Sequence, residues 1–259
     1  MQQLYKAVKT VQEMSYKDQI DLLKLPRHIA VIMDGNGRWA KGKGKLRVFG
    51  HHNGVLSVRD IVESAGELGI EYLTLYTFSA ENWNRPKFEV TAIMELLIST
   101  INKEIAKLMD NNVRLNAIGD LNMLPGKCHK ELNNAINKTA ANTGLVLTLA
   151  LSYSSRGEIV QAAKNLAAKV QSGEIQPADI DEKMFEDNLY TGGMPNPELL
   201  IRTSGEYRIS NYLLWQIAYA ELYFTPKLWP DFRREDLYEA ILDYQKRERR
   251  FGMTSEQVN

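Results

Sequence analysis

The stretch Ile29-Ala30-Val31-Ile32-Met33-Asp34-Gly35-Asn36-Gly37-Arg38 is the most informative part of this chain. Its five apolar residues predict a short buried strand. The carboxylate, two glycines and arginine that follow have the composition of a loop that holds a metal-bound phosphate. Glycine lets backbone N–H groups approach an anion closely, and a following helix would direct its positive end to the same place. The sequence therefore predicts a phosphate site after the first strand.

Positive charge is concentrated around this stretch. Residues 27–51 contain six basic residues against Asp34 alone, a net charge of +5, whereas the whole chain balances 32 basic against 32 acidic residues. A neutral chain offers no general attraction for nucleic acid, so the local field points to one anion-binding site. We therefore expect a small anion as the partner, and no nucleic acid.

Apolar, β-branched runs alternate with longer helical patterns along the chain. This alternation predicts an α/β fold with a mostly parallel central sheet and helices on both faces, in which ligands bind beyond the carboxyl ends of the strands. The predicted strands are 29–33, 72–79, 113–119, 145–153, 198–203 and 219–224. The predicted helices are 54–68, 89–110, 127–142, 156–171, 179–189 and 235–248.

Composition predicts a single domain over 1–259, since 259 residues with 44% hydrophobic content suit one large core. We expect a helical extension over 1–25 and a disordered tail over 253–259. The single cysteine, Cys128, excludes an intramolecular disulfide and a cysteine-based zinc cluster. The chain shows neither a signal-peptide core nor an apolar run of membrane length, so a soluble, cytoplasmic protein is expected.

Two further polar clusters follow predicted strands. Residues 79–86 read Ser-Ala-Glu-Asn-Trp-Asn-Arg-Pro, and the alternative to a ligand site is a capped turn in which Trp83 simply packs. Residues 202–210 offer two arginines and a hydroxyl suited to a diphosphate, unless Glu206 pairs with one arginine in a solvated loop. Glu221 lies in an apolar run, where a carboxylate needs either a metal or an ion pair.

Several nucleotide and isoprenoid motifs are missing. The first loop lacks the lysine and Ser/Thr of a Walker P-loop, no G-x-G-x-x-G follows a strand, and no aspartate-rich D-D-x-x-D run is present. If a magnesium diphosphate binds here, isolated carboxylates must hold it, with phosphate oxygens and waters completing the octahedron. Asp34 is the first candidate for that ligand.

With these motifs the chain resembles a known family, the cis-prenyltransferases. It is most similar to the bacterial isoprenyl transferases of the undecaprenyl diphosphate synthase type. The resemblance runs from about residue 26 to 252 and rests on several long motifs in the same order. They are H-I-A-V-I-M-D-G-N-G-R-W-A from His28, F-G-H from Phe49, T-F-S-A-E-N-W-N-R-P from Thr77, I-R-T-S-G-E-Y-R-I-S-N from Ile201 and L-W-Q-I-A-Y-A-E-L-Y-F from Leu214.

The resemblance implies a homodimeric, magnesium-dependent transferase. It would condense isopentenyl diphosphate repeatedly onto an allylic diphosphate, usually farnesyl diphosphate, to make a long-chain cis-polyprenyl diphosphate. Undecaprenyl diphosphate, the precursor of the lipid carrier for cell-wall synthesis, is the expected product. A lipid product also suggests transient contact with the inner face of the membrane.

The same resemblance implies roles for individual residues. Asp34 and Asn82 would be catalytic, and Asp34 and Glu221 would bind magnesium. The positions matching the sites for the two diphosphates and for the loop that closes over them are Gly35, Asn36, Gly37, Arg38, Trp39, Arg47, His51, Ser79, Ala80, Glu81, Trp83, Arg85, Arg202, Arg208, Ile209 and Ser210.

The sequence departs from the family pattern in two places. Ala80 stands where many relatives have a second serine, and Ser152-Tyr153-Ser154-Ser155-Arg156 replaces N-Y-G-G-R. The serines can cap the next helix, so we interpret that change as structural. The terminal Arg250-Phe251-Gly252 resembles an element that in relatives reaches towards the partner subunit, although it would otherwise be a solvated basic helix end.

A long hydrocarbon product needs an apolar product tunnel, and the helix predicted at 89–110 is its expected wall, unless these side chains form ordinary core. The candidate residues are Ile93, Met94, Leu96, Leu97, Ile98, Ile101, Ile105 and Leu108. Two other functions stay open: a catalytically silent accessory subunit of the same fold, and a magnesium-dependent phosphohydrolase. Retention of Asp34, Asn82 and Arg208 argues against the first, and the lack of an evident nucleophile argues against the second.

Overall fold

A computed structural model describes residues 15–250 and 252–258. Most of the helical extension predicted over 1–25 lies outside these residues. Within 15–25 the chain forms helix α1, Tyr16–Gln19, and a 3₁₀ turn, Leu22–Lys24. The tail contains one short helix, Ser255–Val258.

The described residues contain six strands in one sheet of order β3-β4-β2-β1-β5-β6, and every neighbouring pair is parallel. The prediction of a mostly parallel α/β fold is confirmed, and each predicted strand lies within two residues of its observed bounds. The strands are β1 His28–Ile32, β2 Tyr72–Ser79, β3 Arg114–Ile118, β4 Val146–Tyr153, β5 Leu199–Arg202 and β6 Glu221–Phe224.

Burial on both faces explains why the strands read as continuous apolar runs. All five residues of β1 are buried, with Ile29 and Val31 in the larger core cluster and Ala30 and Ile32 in the smaller one. Successive side chains therefore enter opposite cores. The buried His28 ring bonds Thr74 Oγ1 and the Pro195 carbonyl, both at 2.7 Å, so its two nitrogens are satisfied.

The longer helices occur where they were predicted. Those that follow α1 among the described residues are α2 Asn36–Gly42, α3 Arg47–Leu68, α4 Lys87–Asp110, α5 Gly126–Thr139, α6 Ser155–Gln171, α7 Glu182–Asp187, α8 Arg234–Gln245 and α9 Ser255–Val258.

Helix α3 begins seven residues before its predicted start at residue 54. Gly50 and Gly54 weaken the helical pattern of its first two turns, because glycine has low helix propensity. Both glycines permit close packing instead: a Cβ at Gly50 would lie 1.9 Å from the Asn36 carbonyl oxygen, and one at Gly54 would lie 2.6 Å from Asn36 Oδ1. Helix α2 can therefore pack directly against α3.

The sheet order brings the three polar clusters to one edge. Strands β2, β1 and β5 are adjacent, and their carboxyl ends lead into Ser79, Asp34 and Arg202. Parallel strands end at the same edge, so distant segments meet there. No helix in the described part of the chain is long and apolar enough to cross a bilayer.

The contact between α2 and α3 can be tested at Gly50. We expect Gly50→Ala to lower the free energy of unfolding by about 1–3 kcal/mol, because the added methyl overlaps the Asn36 backbone. The matched control is Gly66→Ala in the same helix, where a Cβ meets nothing within 4 Å. That variant should be unchanged or more stable by up to about 1 kcal/mol. Urea unfolding measures both, and equal stabilities would contradict the packing argument.

Candidate active site

Asp34 is held at the carboxyl edge by backbone and side-chain contacts. Its main-chain N–H donates to Thr203 Oγ1 at 3.0 Å, and the Thr203 hydroxyl lies 2.6 Å from the Asp34 carbonyl oxygen. Its carboxylate accepts from the Gly35 N–H at 2.7 Å, from Arg202 Nη2 at 3.0 Å and from Arg38 Nη2 at 3.2 Å. Strand β1 thus delivers one carboxylate between two guanidinium groups.

These contacts keep Asp34 ionised. Burial alone would raise its pKa, but hydrogen bonds from Arg202 and Ser204 and the positive charge of both arginines outweigh burial and hold the pKa below its usual value. At neutral pH the site therefore contains a carboxylate. This carboxylate can bind a cation, but it is a weak base because its pKa is lowered.

Arg202 is the most buried cation of the site, at 3% exposure. Its Nη1 donates to Ser210 Oγ at 2.7 Å and to the Arg208 carbonyl, and its Nη2 contacts Asp34. Its buried Nε has no hydrogen-bond partner in the described part of the chain. A buried donor without a partner is costly, so an anionic ligand at this position would remove a penalty.

Glu206 links the remaining arginines. It accepts from Arg208 Nη1 and lies 3.1 Å from Arg38 Nη1. The alternative that Glu206 pairs with an arginine in a solvated loop is correct in part, because the Arg208 side chain is 60% exposed and forms an ion pair with Glu206. Glu206 nevertheless pairs with two arginines, Arg38 on helix α2 and Arg208 on the loop after β5. It therefore holds both guanidinium groups near the edge of the sheet where Asp34 lies.

The backbone between residues 204 and 213 is unusual. Ser204, Ser210, Asn211 and Leu213 all have positive φ angles, between 49° and 80°. Such conformations cost roughly 1–3 kcal/mol each for non-glycine residues and persist where surrounding contacts enforce them. Here the enforcing contacts include the bond from Arg202 to Ser210 and the bond from Asn211 Nδ2 to Glu81 Oε1 at 2.8 Å.

The turn after β1 depends on two glycines. Gly35 has φ of 112°, and a Cβ there would lie 3.0 Å from Leu228. A Cβ at Gly37 would lie 2.5 Å from Arg47 Nε, so the Arg47 guanidinium packs directly against the first turn of α2. Asn36 follows the turn, and its buried Oδ1 has no partner among the described residues. Positive charge and backbone N–H groups therefore converge beside Asp34.

The second cluster is a capped 3₁₀ turn, Ala80–Asn84, as its sequence alternative stated. Ser79 and Asn82 form a capping box, in which the Ser79 N–H donates to Asn82 Oδ1 at 3.2 Å. Trp83 packs edge-on against Phe78 and donates its indole N–H to Ser152 Oγ at 2.9 Å. The Asn82 carboxamide thus has a structural role, and it also lines the cavity described below.

Glu89 connects this turn to helix α3. It is 2% exposed and accepts from Arg85 Nη1 at 3.1 Å. The His51 ring lies 3.9 Å from the same carboxylate. Burial and the nearby Arg85 charge lower the pKa of His51 to about 4, so at neutral pH the ring is uncharged and this contact is not an ion pair.

A cavity of about 1000 Å³ opens from this edge and runs between the sheet and helices α3 and α4. Its polar end includes nine predicted site residues: Asp34, Asn36, His51, Ser79, Glu81, Asn82, Arg85, Arg202 and Ser210. Its walls are largely apolar. Of the predicted wall residues, Ile93, Leu96, Leu97, Ile101 and Leu108 line it, whereas Met94, Ile98 and Ile105 pack elsewhere.

Several predicted residues do not line the cavity. The residues concerned lie next to lining residues in the chain but are not part of the lining: Gly35, Gly37, Arg38, Arg47, Ala80, Trp83, Arg208 and Ile209. Trp39 donates to Asp231 Oδ1 at 2.8 Å and stacks on Phe49. Sequence reasoning missed Tyr76, Asn211 and Trp229, which do line it. Asn211 directly follows Ser210, and its place beside a positive-φ serine becomes apparent only from the fold.

Glu221 lies at the other end of the sheet. It pairs with Leu199 at the start of β5, whereas Arg202 pairs with Phe224 at the end of β6. Three residues of strand therefore separate it from the carboxyl edge, about 10 Å. Its Oε2 accepts from Arg247 Nη1 at 3.0 Å, which is the ion pair that the sequence left open. Within one chain Glu221 and Asp34 are not brought together, and the metal role of Glu221 stays a prediction.

The donor set around Asp34 suits a cation that takes most of its ligands from a phosphate. Among the described residues no three His, Cys, Asp or Glu side chains cluster to hold a metal. Magnesium keeps several waters and binds through one or two carboxylates plus substrate phosphates. A single ionised carboxylate beside arginines and a glycine-rich turn fits that pattern, and Asp34 would be the protein ligand.

Comparisons with known proteins agree with this geometry. A family model described as putative undecaprenyl diphosphate synthase matches residues 32–252. An isoprenyl transferase of Chlorobaculum tepidum is 58% identical over 234 residues, covering 90% of this chain and 88% of that protein. A farnesyl-diphosphate-specific ditrans,polycis-undecaprenyl-diphosphate synthase of Vibrio cholerae is 52% identical, covering 90% and 94%.

Solved structures give the same result. The lavandulyl diphosphate synthase of Lavandula x intermedia, in complex with dimethylallyl diphosphate, matches with a TM-score of 0.87 at 40% identity, covering 89% of this chain and 99% of that one. A probable undecaprenyl diphosphate synthase of Campylobacter jejuni matches with a TM-score of 0.73 at 35% identity, covering 88% and 98%.

We expect the stability of the protein to depend on pH, because His28 and His51 are buried in their uncharged forms. His28 and His51 both have a pKa of about 4, with burial as the main cause, against the usual 6.5. Between these values the unfolded chain binds more protons, so stability is complete above pH 6.5 and falls as pH drops towards 4. In His51→Gln only His28 contributes, and the slope should be smaller by up to about 1.4 kcal/mol per pH unit. Parallel profiles in urea unfolding would contradict this.

Proposed function

The chain belongs to the undecaprenyl diphosphate synthase family and is a cis-prenyltransferase, and we propose that it elongates farnesyl diphosphate with isopentenyl diphosphate to make undecaprenyl diphosphate. The observation that carries the proposal is the position of Asp34, between Arg38 and Arg202 at the mouth of a large, mostly apolar cavity. An anion site that opens into an apolar cavity suits a substrate with a diphosphate head and a hydrocarbon tail.

The proposed reaction joins the two substrates and releases one diphosphate and one proton. The allylic C–O bond breaks and releases diphosphate, the isopentenyl double bond attacks the allylic carbon, and a proton leaves to form the new cis double bond. The diphosphate of the isopentenyl unit becomes the head of the longer product. Charge develops mainly on the leaving diphosphate, so donors fixed around it should lower the barrier most.

The allylic diphosphate would lie at the turn after β1. The N–H groups of residues 35–38 and the Arg47 guanidinium surround this position, and Arg38 stands beside it. Asp34 would hold Mg²⁺ there, and the ion would neutralise the leaving group. The fixed glycine geometry matters because preorganised donors need no rearrangement as the C–O bond breaks.

Isopentenyl diphosphate would lie on the other side of Asp34. Arg202, Arg208 and Ser210 offer two guanidinium groups and a hydroxyl, and Ile209 lies between the last two. Asn82 on the capped turn would position isopentenyl diphosphate or relay the proton that it loses. The neighbouring residues Ser79, Ala80, Glu81, Trp83 and Arg85 would support this role. Asn211 Nδ2 on the arginine loop donates to Glu81 Oε1 on this turn, and this bond would help to hold the two substrates in register.

Two parts of the proposal concern assembly and biological role. We propose a homodimer, in which Trp39, His51 and Glu221 keep the substrate and metal roles implied by the family. A lipid product of this length would serve as the precursor of the carrier for cell-wall synthesis. The accessory-subunit alternative is disfavoured, because the Asp34, Asn82 and Arg202 side chains all border one cavity.

Asp34→Asn tests the catalytic assignment. The amide keeps the shape but loses the charge that binds a cation, so we expect at least a hundredfold loss of product formation, on the order of 3 kcal/mol in the barrier. The assay supplies labelled isopentenyl diphosphate, farnesyl diphosphate and Mg²⁺ and resolves the lipids by length. Circular dichroism and urea unfolding check that the variant is folded.

Three results would contradict the catalytic assignment or the proposed function. Full activity of Asp34→Asn would remove its catalytic role. Absence of elongation by the folded wild type, with several allylic primers, would favour the accessory-subunit alternative, and release of inorganic phosphate instead of diphosphate would favour a phosphohydrolase.

We expect the residues that line the cavity to limit the length of the product. Leu97→Trp or Ile101→Trp would fill part of the cavity, so the lipid ladder should end at shorter chains while the first condensation proceeds within about threefold of the wild-type rate. Lys103→Trp, on the exposed side of the same helix, is the matched control and should leave the ladder unchanged. An unchanged ladder in both wall variants would place the growing chain elsewhere.

A further inference from the structure

Helix α3 has apolar side chains on two separate faces. Val55, Val58 and Val62 line the cavity. Phe49 and Leu56, seven residues apart and therefore two turns along one face, are 41% and 48% exposed. Leu46 at the helix N-cap is 77% exposed. The helix thus separates the cavity from an apolar stripe that faces solvent.

Cations flank this stripe. Three exposed lysines precede α3: Lys41 lies in the last turn of α2, and Lys43 and Lys45 lie in the connection to α3. The sequence has no acidic residue between Asp34 and Asp60. Lys41 and Lys45 have no ion-pair partner among residues 15–250 and 252–258. Lys43 lies over the Trp39 ring at 4.5 Å, and Trp39 stacks on Phe49 at 5.8 Å. These contacts make one compact surface.

We call this surface the basic collar and define it by its side chains: Lys41, Lys43, Lys45, Leu46, Phe49 and Leu56. We propose that the basic collar docks the protein on an anionic lipid bilayer. Lysines next to exposed leucine and aromatic side chains match the two contributions to interfacial binding, attraction to anionic headgroups and burial of apolar surface at the acyl boundary.

Other partners match the collar less well. Nucleic acid would satisfy the lysines but would leave Leu46 and Leu56 exposed, and the chain as a whole is neutral. A second copy of the chain would have to offer an acidic, apolar counterpart. A bilayer satisfies both parts of the surface without any specific pocket.

The collar is also placed where a lipid product would need it. It follows the turn at Gly35–Arg38 within a few residues, and Arg47 between Lys45 and Phe49 packs on Gly37. Docking would therefore hold the mouth of the cavity close to the bilayer, into which a long hydrocarbon partitions. This use of the collar rests on the proposed function, whereas binding to vesicles does not.

Vesicle co-sedimentation of the purified full-length protein tests the proposal, with phosphatidylcholine vesicles alone or mixed with phosphatidylglycerol. We expect binding only to the mixture. Lys41→Gln/Lys45→Gln should weaken it about 30-fold, since each lysine near an anionic surface contributes about fivefold. Leu46→Ser should weaken it about tenfold through lost apolar burial. Added salt should weaken the wild type more than the lysine variant.

Matched controls lie in and just before helix α5, which belongs to the same core cluster as α3 but is separated from it by α4. Lys127→Gln/Lys130→Gln on α5 removes two exposed lysines that also lack an ion-pair partner in the described chain, and Met123→Ser removes an apolar side chain that is 56% exposed. Both controls should bind like the wild type. Elongation assays in detergent should give the collar variants an unchanged KM for isopentenyl diphosphate.

Each of three outcomes would overturn the proposal. The first is vesicle binding that the collar variants and the controls share equally, or no binding at all. The second is a rise in KM without loss of vesicle binding, which would make the lysines a substrate-capture surface. The third is a fall in mass by light scattering in Leu46→Ser, which would make the collar an interface between two copies. An inactive wild type that still binds vesicles would refute the proposed function alone.

Discussion

The pairing of Asp34 with Arg202 is the interaction on which the site depends. The two residues come from adjacent strands, β1 and β5, and meet at 3.0 Å where both strands end. A guanidinium that is 3% exposed is costly without partners, and here it contacts a carboxylate, a serine and a backbone carbonyl. Its remaining donor, Nε, has no partner among the described residues, so an anionic acceptor at this position would satisfy it.

Arg202 also contacts the strained segment that follows β5. Its bonds to Ser210 and to the Arg208 carbonyl tie this segment to the strand end, within the stretch where four non-glycine residues have positive φ angles. On the other side, Gly35 and Gly37 allow the β1 turn and Arg47 to approach. Rigid positions on both sides suit a reaction whose rate depends on holding two diphosphates in line.

The sequence predicted the sheet well because its strands are buried on both faces. Runs such as Ile29–Met33 are apolar throughout, short and followed by glycines, which favours a strand buried on both faces, and the strand ends locate the polar clusters. The start of α3 was predicted too late because Gly50 and Gly54 serve packing rather than helix propensity. Propensity measures the isolated helix, whereas these glycines respond to Asn36, which lies on another helix.

Site geometry could be predicted only in part. The residue types at Asp34, Arg38 and Arg202 indicated an anion site, and the three side chains meet as expected. Glu206 pairs with both Arg38 and Arg208, whereas the sequence suggested at most a pairing with one arginine. Which side chains pair depends on the path of a strained loop, and the sequence does not specify that path. Glu221 shows the same limit: its apolar run was evident, but only the register of β6 places it at the amino end.

Helix α3 brings these features together. Its first turn packs on the glycine-rich turn through Gly50, one of its faces carries His51 and three valines that line the cavity, and another faces solvent with Phe49 and Leu56. An ordinary surface helix has one apolar stripe, which it buries against the core. Helix α3 has two apolar faces, one lining the cavity and one exposed among the described residues, so a single rigid element connects the Asp34 edge, the apolar cavity and the basic collar.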